Sequence, residues 1–215
     1  FFFGSYDQQR RNFPAISTTS DPGFFDTIGR GTRGGGLRAP SRALSDARID
    51  STLAFLASLT GEVPRRGDQS IYTPKVDWHM TNRHALSATY NRVRWNALAG
   101  METAPTINRG RASVGDDSVN IDWITVGLVS RISSRLINEL RSQFGRDDES
   151  QFSQPPAPGE PLTGPQGKPP AMGITGGISF GKRSTLDARA IPDERRWQLA
   201  DTITLTLRNH LIKSG

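Results

Sequence analysis

Apolar and polar residues alternate along residues 70–95 in the pattern of two β-strands. In the first strand, Tyr72 and Trp78 share one parity, whereas Lys75 and Asp77 have the opposite parity. Because successive side chains of a strand point to opposite faces, one face is apolar and aromatic and the other is charged. A polar three-residue turn follows, and the second strand repeats the alternation. The segment therefore predicts an amphipathic β-hairpin.

Other segments repeat this layout. The predicted strands lie near residues 1–8, 70–80, 84–95, 118–132, 135–149, 194–207 and 210–215. Turns of two or three residues alternate with long connections, at residues 10–69, 96–117 and 150–191. The segment 135–149 also has large apolar residues four positions apart, as a helix would, but its place in a hairpin favours a strand.

The first long connection contains one predicted helix, at residues 41–59. Leucine and alanine recur there at steps of three and four residues, and Gly61 and Pro64 end the pattern. We expect this short amphipathic helix to pack the long loop against another part of the protein.

The strict alternation of tight turns with very long loops indicates the fold class. Soluble sandwiches and barrels keep most connections short, whereas outer-membrane barrels have short periplasmic turns and long extracellular loops. Strands of about ten residues also match a tilted membrane span. The aromatic residues expected to form the interfacial girdles are Trp78, Tyr90, Trp95, Trp123 and Trp197. The sequence predicts an all-β fold: a segment of an antiparallel, up-and-down transmembrane β-barrel with about seven strands.

In such a barrel the apolar face meets lipid and the polar face lines the lumen. The candidate lumen-facing polar residues are Lys75, Asp77, Asn91, Glu139, Arg141 and Gln143. Two residues break the pattern, because Asp201 has the outward parity and Arg92 interrupts the apolar series of its strand. We expect a bulge at Arg92, and either a bulge or a strand tilt that brings Asp201 near the interface.

Composition agrees with a membrane wall more than with a soluble globule. Hydrophobic residues make up 34% of the chain, which is little for a large core. No cysteine is present, so disulfides and thiolate metal sites are excluded. No apolar run is long enough for a transmembrane helix. Because the sequence opens at Phe1 without an initiator methionine and ends at Gly215 within a predicted strand, we expect a fragment of a larger barrel.

The chain carries a net charge of +6, and most of its positive charge is arginine in the long connections. No basic helix or aromatic RNA-binding strand pair accompanies these arginines, so nucleic acid is not expected as a partner. The candidate ligand-facing loop residues are Arg30, Arg33, Arg65, Arg66, Arg109 and Arg111. Arginine suits anionic ligands and lipopolysaccharide phosphates, although biased genome composition explains arginine-rich loops equally well. No phosphate-binding glycine loop, G-x-S-x-G motif or histidine cluster is present, so neither an enzyme nor a cofactor is expected.

Several strand segments resemble those of TonB-dependent outer-membrane receptors, most closely the Oar-like group. The segments are FFFGSYDQQRR at 1–11, KVDWHMTNRHALSATYNRVRW at 75–95, NELRSQFGR at 138–146 and RRWQLADTITLTLRNHLIKSG at 195–215. The resemblance implies a barrel of about 22 strands, a preceding plug domain that lies outside this chain, and import of a nutrient ligand across the outer membrane of a Gram-negative bacterium. It also implies the TonB complex, outer-membrane lipid and lipopolysaccharide as partners. A non-transporting surface barrel or adhesin, and a soluble all-β binding module, are the alternatives.

Overall fold

The computed structural model describes residues 1–28, 44–100, 104–183 and 186–215, with the backbone alone for 27, 28 and 188–192. The strands are β1 (Phe2–Asn12), β2 (Ala15–Ser17), β3 (Gly61–Val63), β4 (Arg66–His79), β5 (His84–Leu98), β6 (Thr106–Ile107), β7 (Asp116–Arg131), β8 (Leu136–Phe152), β9 (Met172–Gly173), β10 (Ser179–Phe180), β11 (Ala188–Leu207) and β12 (His210–Ser214). The helix α1 spans Asp46–Ser58, a π-helical turn spans Phe24–Ile28, and a 3₁₀ turn spans Pro165–Gly167.

The seven long strands form one antiparallel sheet in the order β1-β4-β5-β7-β8-β11-β12. Each long strand pairs with the next one along the chain, which is the up-and-down arrangement that the sequence predicts. Among the described residues, β1 and β12 pair on one side only, so these strands form an open wall that further strands must close into a barrel. The predicted fold class is confirmed, and residues 136–152 form a strand, not a helix.

The polarity of the two faces inverts along the strands. Beside the tight turns, the outward face is apolar and the inward face is polar. Beside the long loops, the outward face is charged and the inward face carries apolar residues, which are Ile71, Val93, Trp95, Val119, Ile121 and Trp123. The outward face there meets headgroups and water, whereas the inward face lies beneath the folded loops. In this half of the sheet the fully buried strand residues, Gly67, Ala97, Asp117 and Gly145, all point inward.

This inversion corrects the expectation of a bulge at Arg92. The pairing of β5 with β7 is continuous from His84 to Ala97, so the register does not change. Arg92 and Val93 look out of phase because the strand leaves the apolar layer at that level. At Asp201 a bulge is also excluded, since β11 pairs with β8 without a shift from Glu194 to Leu205. Asp201 therefore stays on the outward face, where its Oδ1 accepts a hydrogen bond of 2.6 Å from Asn138 Nδ2.

The expected aromatic girdle is wrong for two of its five members. Trp95 and Trp123 point inward, and the ring of Trp123 covers Gly145 on the neighbouring strand. Trp78 and Trp197 point outward and are 58% and 74% exposed, as residues that face lipid must be in the isolated protein. The paired aromatic rings of Phe144 and Trp197, with centroids 4.6 Å apart, belong to the same outward layer.

The three long connections pack together into one loop body at a single end of the sheet. One apolar cluster joins α1 to the π-helical turn and to the third connection, and it consists of Phe24, Ile49, Leu53, Leu56, Leu59, Ile178 and Phe180. A second cluster joins the first and second connections, and it consists of Ala15, Val63, Ala99, Ile107 and Val114. The predicted helix is confirmed in the described part of its range, while residues 41–43 lie outside the described residues. None of the described helices is long and apolar enough to cross a membrane.

The short strands of the loop body were not predicted from the sequence. Strands β2, β3 and β6 form a small sheet, and β9 pairs with β10. Each has two or three residues, which is too short for a period-two pattern to be read. These strands supply the loops with backbone hydrogen bonds and thereby fix the loop body over the inward face.

Candidate functional site

The inward face of the sheet brings together all six polar residues predicted to line the lumen. Strand pairing places them in adjacent cross-strand rows on one side of the wall. One row is Lys75, Thr89, Thr125, Gln143 and Gln198. The next row is Asp77, Ser87, Gly127, Arg141 and Ala200. Asn91 lies one row nearer the loops and Glu139 one row nearer the turns.

The charges in these rows and at Glu139 form ion pairs within a strand. Lys75 Nζ lies 3.0 Å from Asp77 Oδ2, and an Arg141 guanidinium nitrogen lies 3.1 Å from Glu139 Oε2. Both pairs join residues two positions apart, which share a face of a strand. Exposed ion pairs of this kind contribute about 0–1 kcal/mol to stability. Their effect is to give the inner wall a hydrophilic and nearly neutral surface.

Most inward side chains in these rows are small. Thr89, Thr125, Gly127 and Ala200 occupy the centre of the wall, and none reaches far into the lumen. Narrow barrels of about eight strands fill their interior with large side chains. These two rows carry no aromatic or large aliphatic side chain, so they leave room for water or another folded segment in the lumen.

The predicted loop arginines occupy different surroundings. Arg65 is 1% exposed, and its guanidinium donates to the carbonyls of Phe13 and Ala104 at 3.2 and 2.6 Å. Its role is therefore to hold the loop body, not to face a ligand. Arg66 begins β4 on the outward face, and Arg111 donates to the carbonyl of Ser58 at 3.1 Å. Arg30 and Arg33 lie outside the described residues.

Arg109 is the predicted loop arginine that lines a cavity. Together with Arg183 it borders two neighbouring cavities of about 310 and 150 Å³ between the second and third connections. Ser113 lines the larger one, and its hydroxyl is buried without a hydrogen-bond partner in the described structure. In the larger cavity, two guanidinium groups beside an unsatisfied hydroxyl suit a carboxylate or phosphate, whereas the smaller cavity is also lined by Asp117. The sequence offered no signal for Arg183 or Ser113, because this cavity exists only where two distant loops meet.

A network around Asp187 closes the base of this loop region. Its carboxylate accepts hydrogen bonds from the backbone and hydroxyl of Ser153, at 2.7–2.9 Å, and lies 3.0 Å from Lys182 Nζ. The backbone N–H of Ser153, with Lys182 close by, lowers the pKa of Asp187 to about 2. The network therefore stays charged at every physiological pH. Within the described part of the chain no cluster of three or more His, Cys, Asp or Glu residues could hold a metal ion.

The outward face contains a sharp boundary. A largely aromatic row of Tyr90, Ile124, Phe144 and Trp197 is followed, one row nearer the loops, by Arg92, Asp122, Arg146 and Arg195. An exposed apolar layer bounded by aromatic residues and then by charges is the profile of a membrane-spanning wall. A soluble binding module would bury this layer, so that alternative is wrong.

The fold and its two faces define the class: the wall of a transmembrane β-barrel with long loops at one end. A family model described as an outer membrane beta barrel domain matches residues 39–215, which is most of the chain. The chain belongs to this family, and its location is the outer membrane of a Gram-negative bacterium. Comparison with curated proteins and with solved structures gives no match.

Proposed function

We propose that this wall belongs to a TonB-dependent receptor that binds a nutrient ligand at the cell surface and imports it across the outer membrane. The resemblance of four strand segments to such receptors gives the starting point. In this proposal the chain has no catalytic role. Its loop body captures the ligand, and its inner wall surrounds the transport path.

The observation that carries the proposal is the inner wall of small, polar and charge-balanced residues. A lumen that its own side chains do not fill needs water or a plug inside it, and the largest outer-membrane barrels enclose a plug. Rows of threonine, glutamine and paired charges offer donors and acceptors to such a plug without holding it by one strong contact. That chemistry suits a plug that must rearrange each time a ligand passes.

The cavity at Arg109 and Arg183 supports an anionic ligand for the receptor. It lies in the loop body, at the end of the sheet that faces the cell exterior in this class of barrel. Bidentate hydrogen bonds from arginine favour carboxylate and phosphate groups over neutral ones. The proposed ligand class is therefore a small molecule that carries at least one such group.

Two measurements on the intact protein test this proposal. The purified periplasmic domain of TonB is used as a probe in a pull-down, and the expected result is binding to the intact receptor. In planar lipid bilayers a plugged receptor gives no steady conductance until mild urea releases the plug. A large conductance without urea, together with no TonB binding, would instead identify a porin-like barrel. The absence of both conductance under urea and TonB binding would point to a surface adhesin.

A further inference from the structure

One cavity of the described structure lies on the outward face, not in the lumen. It is a groove of about 690 Å³ that crosses β1, β4 and β5. Its lining consists of Gly4, Ser5, Tyr6, Ser70, Tyr72, Pro74, Tyr90, Arg92 and Arg94. All but one of these residues have the outward parity. The groove is therefore open to the membrane and independent of the transport path.

The floor of the groove is low because two adjacent positions lack long side chains. Gly4 pairs with Pro74 across β1 and β4, and a Cβ built on Gly4 would have no atom within 4 Å. The rings of Tyr6 and Tyr72, with centroids 4.8 Å apart, form the wall nearer the loops. On the turn side, Val76 continues the apolar layer. The apolar floor at Gly4 and Pro74 suits a hydrocarbon chain.

The loop-side end of the groove lies at the boundary between the apolar and charged rows. Tyr6, Tyr72 and Arg92 occupy one cross-strand row, and the following residues of that row are Asp122, Arg146 and Arg195. Tyrosine and arginine at the edge of an apolar layer belong at the level of lipid headgroups. The groove thus passes from the acyl region to the headgroup region.

Arg92 is the charged residue of this row that forms no hydrogen bond or close ion pair in the described structure, although it lies near Asp122. The carboxylate of Asp122 accepts a hydrogen bond from the Tyr90 hydroxyl and lies 2.6 Å from an Arg94 nitrogen. Arg94 also donates to the carbonyls of Val93 and Ile121 at 2.8 and 2.9 Å, so its guanidinium is held by three hydrogen bonds. Because Arg94 already balances Asp122, the exposed guanidinium of Arg92 remains as a net positive charge.

The other two arginines of the row share one carboxylate. Arg146 Nε lies 2.6 Å from Asp193 Oδ1, and an Arg195 nitrogen lies 3.2 Å from Asp193 Oδ2. One carboxylate thus bridges both guanidinium groups. Arg92 is therefore the guanidinium of this row that has no ion pair in the described structure, and the groove beside it is where an anionic headgroup would be drawn.

We infer that this groove is a binding site for lipopolysaccharide, with one acyl chain of lipid A over Gly4 and Pro74 and a lipid A phosphate on Arg92. The orientation selects this lipid. The groove opens at the loop end of the apolar layer, which faces the outer leaflet in this class of barrel, and the phosphorylated lipid of that leaflet is lipopolysaccharide. A guanidinium binds phosphate through two parallel hydrogen bonds. In this arrangement the tyrosine rings cover the sugar of the lipid A headgroup.

The test measures binding of purified diphosphoryl lipid A to the intact, delipidated protein in detergent by native mass spectrometry. Arg92→Gln is expected to weaken binding roughly tenfold or more, because charge-assisted hydrogen bonds are lost. Arg92→Lys is expected to have an intermediate effect. Gly4→Leu fills the groove floor without a clash and is expected to weaken binding while Arg92 remains in place. Arg83→Gln, at a tight turn on the opposite end of the sheet, is the matched control and is expected to bind as the unmodified protein does.

Competing ligands separate the possible anions. Monophosphoryl lipid A, phosphatidylglycerol and inorganic phosphate are titrated in the same assay. The site is supported if monophosphoryl lipid A and phosphatidylglycerol bind more weakly than diphosphoryl lipid A and inorganic phosphate does not compete. Equal binding of phosphatidylglycerol, effective competition by inorganic phosphate, or unchanged binding by both Arg92→Gln and Gly4→Leu overturns it.

Discussion

The assignment of the two faces makes a sharp prediction at two neighbouring residues of β7. Leu128 points outward between Leu86 and Leu140, whereas Val129 points inward between Ala85 and Glu139. We expect Leu128→Arg to prevent stable membrane folding and Val129→Arg to be tolerated. The two variants introduce the same guanidinium in place of an aliphatic side chain, one residue apart.

The magnitude follows from the position of Leu128 in the apolar layer. The outward apolar residues of β7 and of the position that follows it run from Ile124 to Ile132. With a rise of about 3.4 Å per residue and a tilt of about 40°, this stretch covers roughly 20 Å along the membrane normal. Leu128 is at its centre, where an arginine that faces lipid costs about 2–4 kcal/mol. This corresponds to a shift of about 30- to 1,000-fold in the folding equilibrium.

Two assays measure this difference in the intact protein. Heat-modifiable mobility of outer-membrane fractions reports the folded barrel, and urea titration in phospholipid vesicles, followed by tryptophan fluorescence, gives the free energy of folding. Val129→Arg places its charge beside Glu139 in the lumen and is expected to change the folding free energy by less than about 1 kcal/mol. Equal losses for both variants, or a larger loss for Val129→Arg, would refute the assignment of the faces.

Three further predictions concern the membrane face and the loop body. Asn138→Leu removes the donor to the outward carboxylate of Asp201 and should reduce the stability of the folded barrel by about 1–3 kcal/mol. The double variant with Asp201→Leu should recover this stability. A double variant as unstable as the single one contradicts this pairing. Arg65→Ala removes the buried donor to two loop carbonyls, so limited proteolysis should cut the loops of the embedded protein faster. An unchanged digestion rate argues against this role. Because the pKa of Asp187 in the folded protein, about 2, lies below its value in the unfolded chain, its contacts stabilise the loop body above pH 4 and this contribution is lost as the pH falls through about 2. Proteolysis with an acid protease should show this loss, and Asp187→Asn should flatten its pH dependence.

The inversion of face polarity explains where a period-two reading of this chain succeeds and where it fails. Within the apolar layer, one parity is apolar and the other polar, so the alternation places Val76 and Leu86 on one face and Lys75 on the other, as the strand pairing does. Beyond that layer the same parity faces water, and the apolar parity faces the loop body. In the sequence, this change of face polarity looks like a phase shift at Arg92, which suggests a bulge. The strand itself is regular.

The sequence by itself determined the class of this protein and the facing of its membrane-spanning residues, because a strand in lipid must alternate and tight turns must separate the hairpins. Only the tertiary structure decided the sites. Arg65 looks like any other loop arginine until its burial is known, and the cavity between Arg109 and Arg183 forms where two loops meet. The groove beside Arg92 likewise depends on the register of three strands, which aligns Gly4 with Pro74. Local alternation follows from neighbouring residues, whereas these sites join residues that are tens of positions apart.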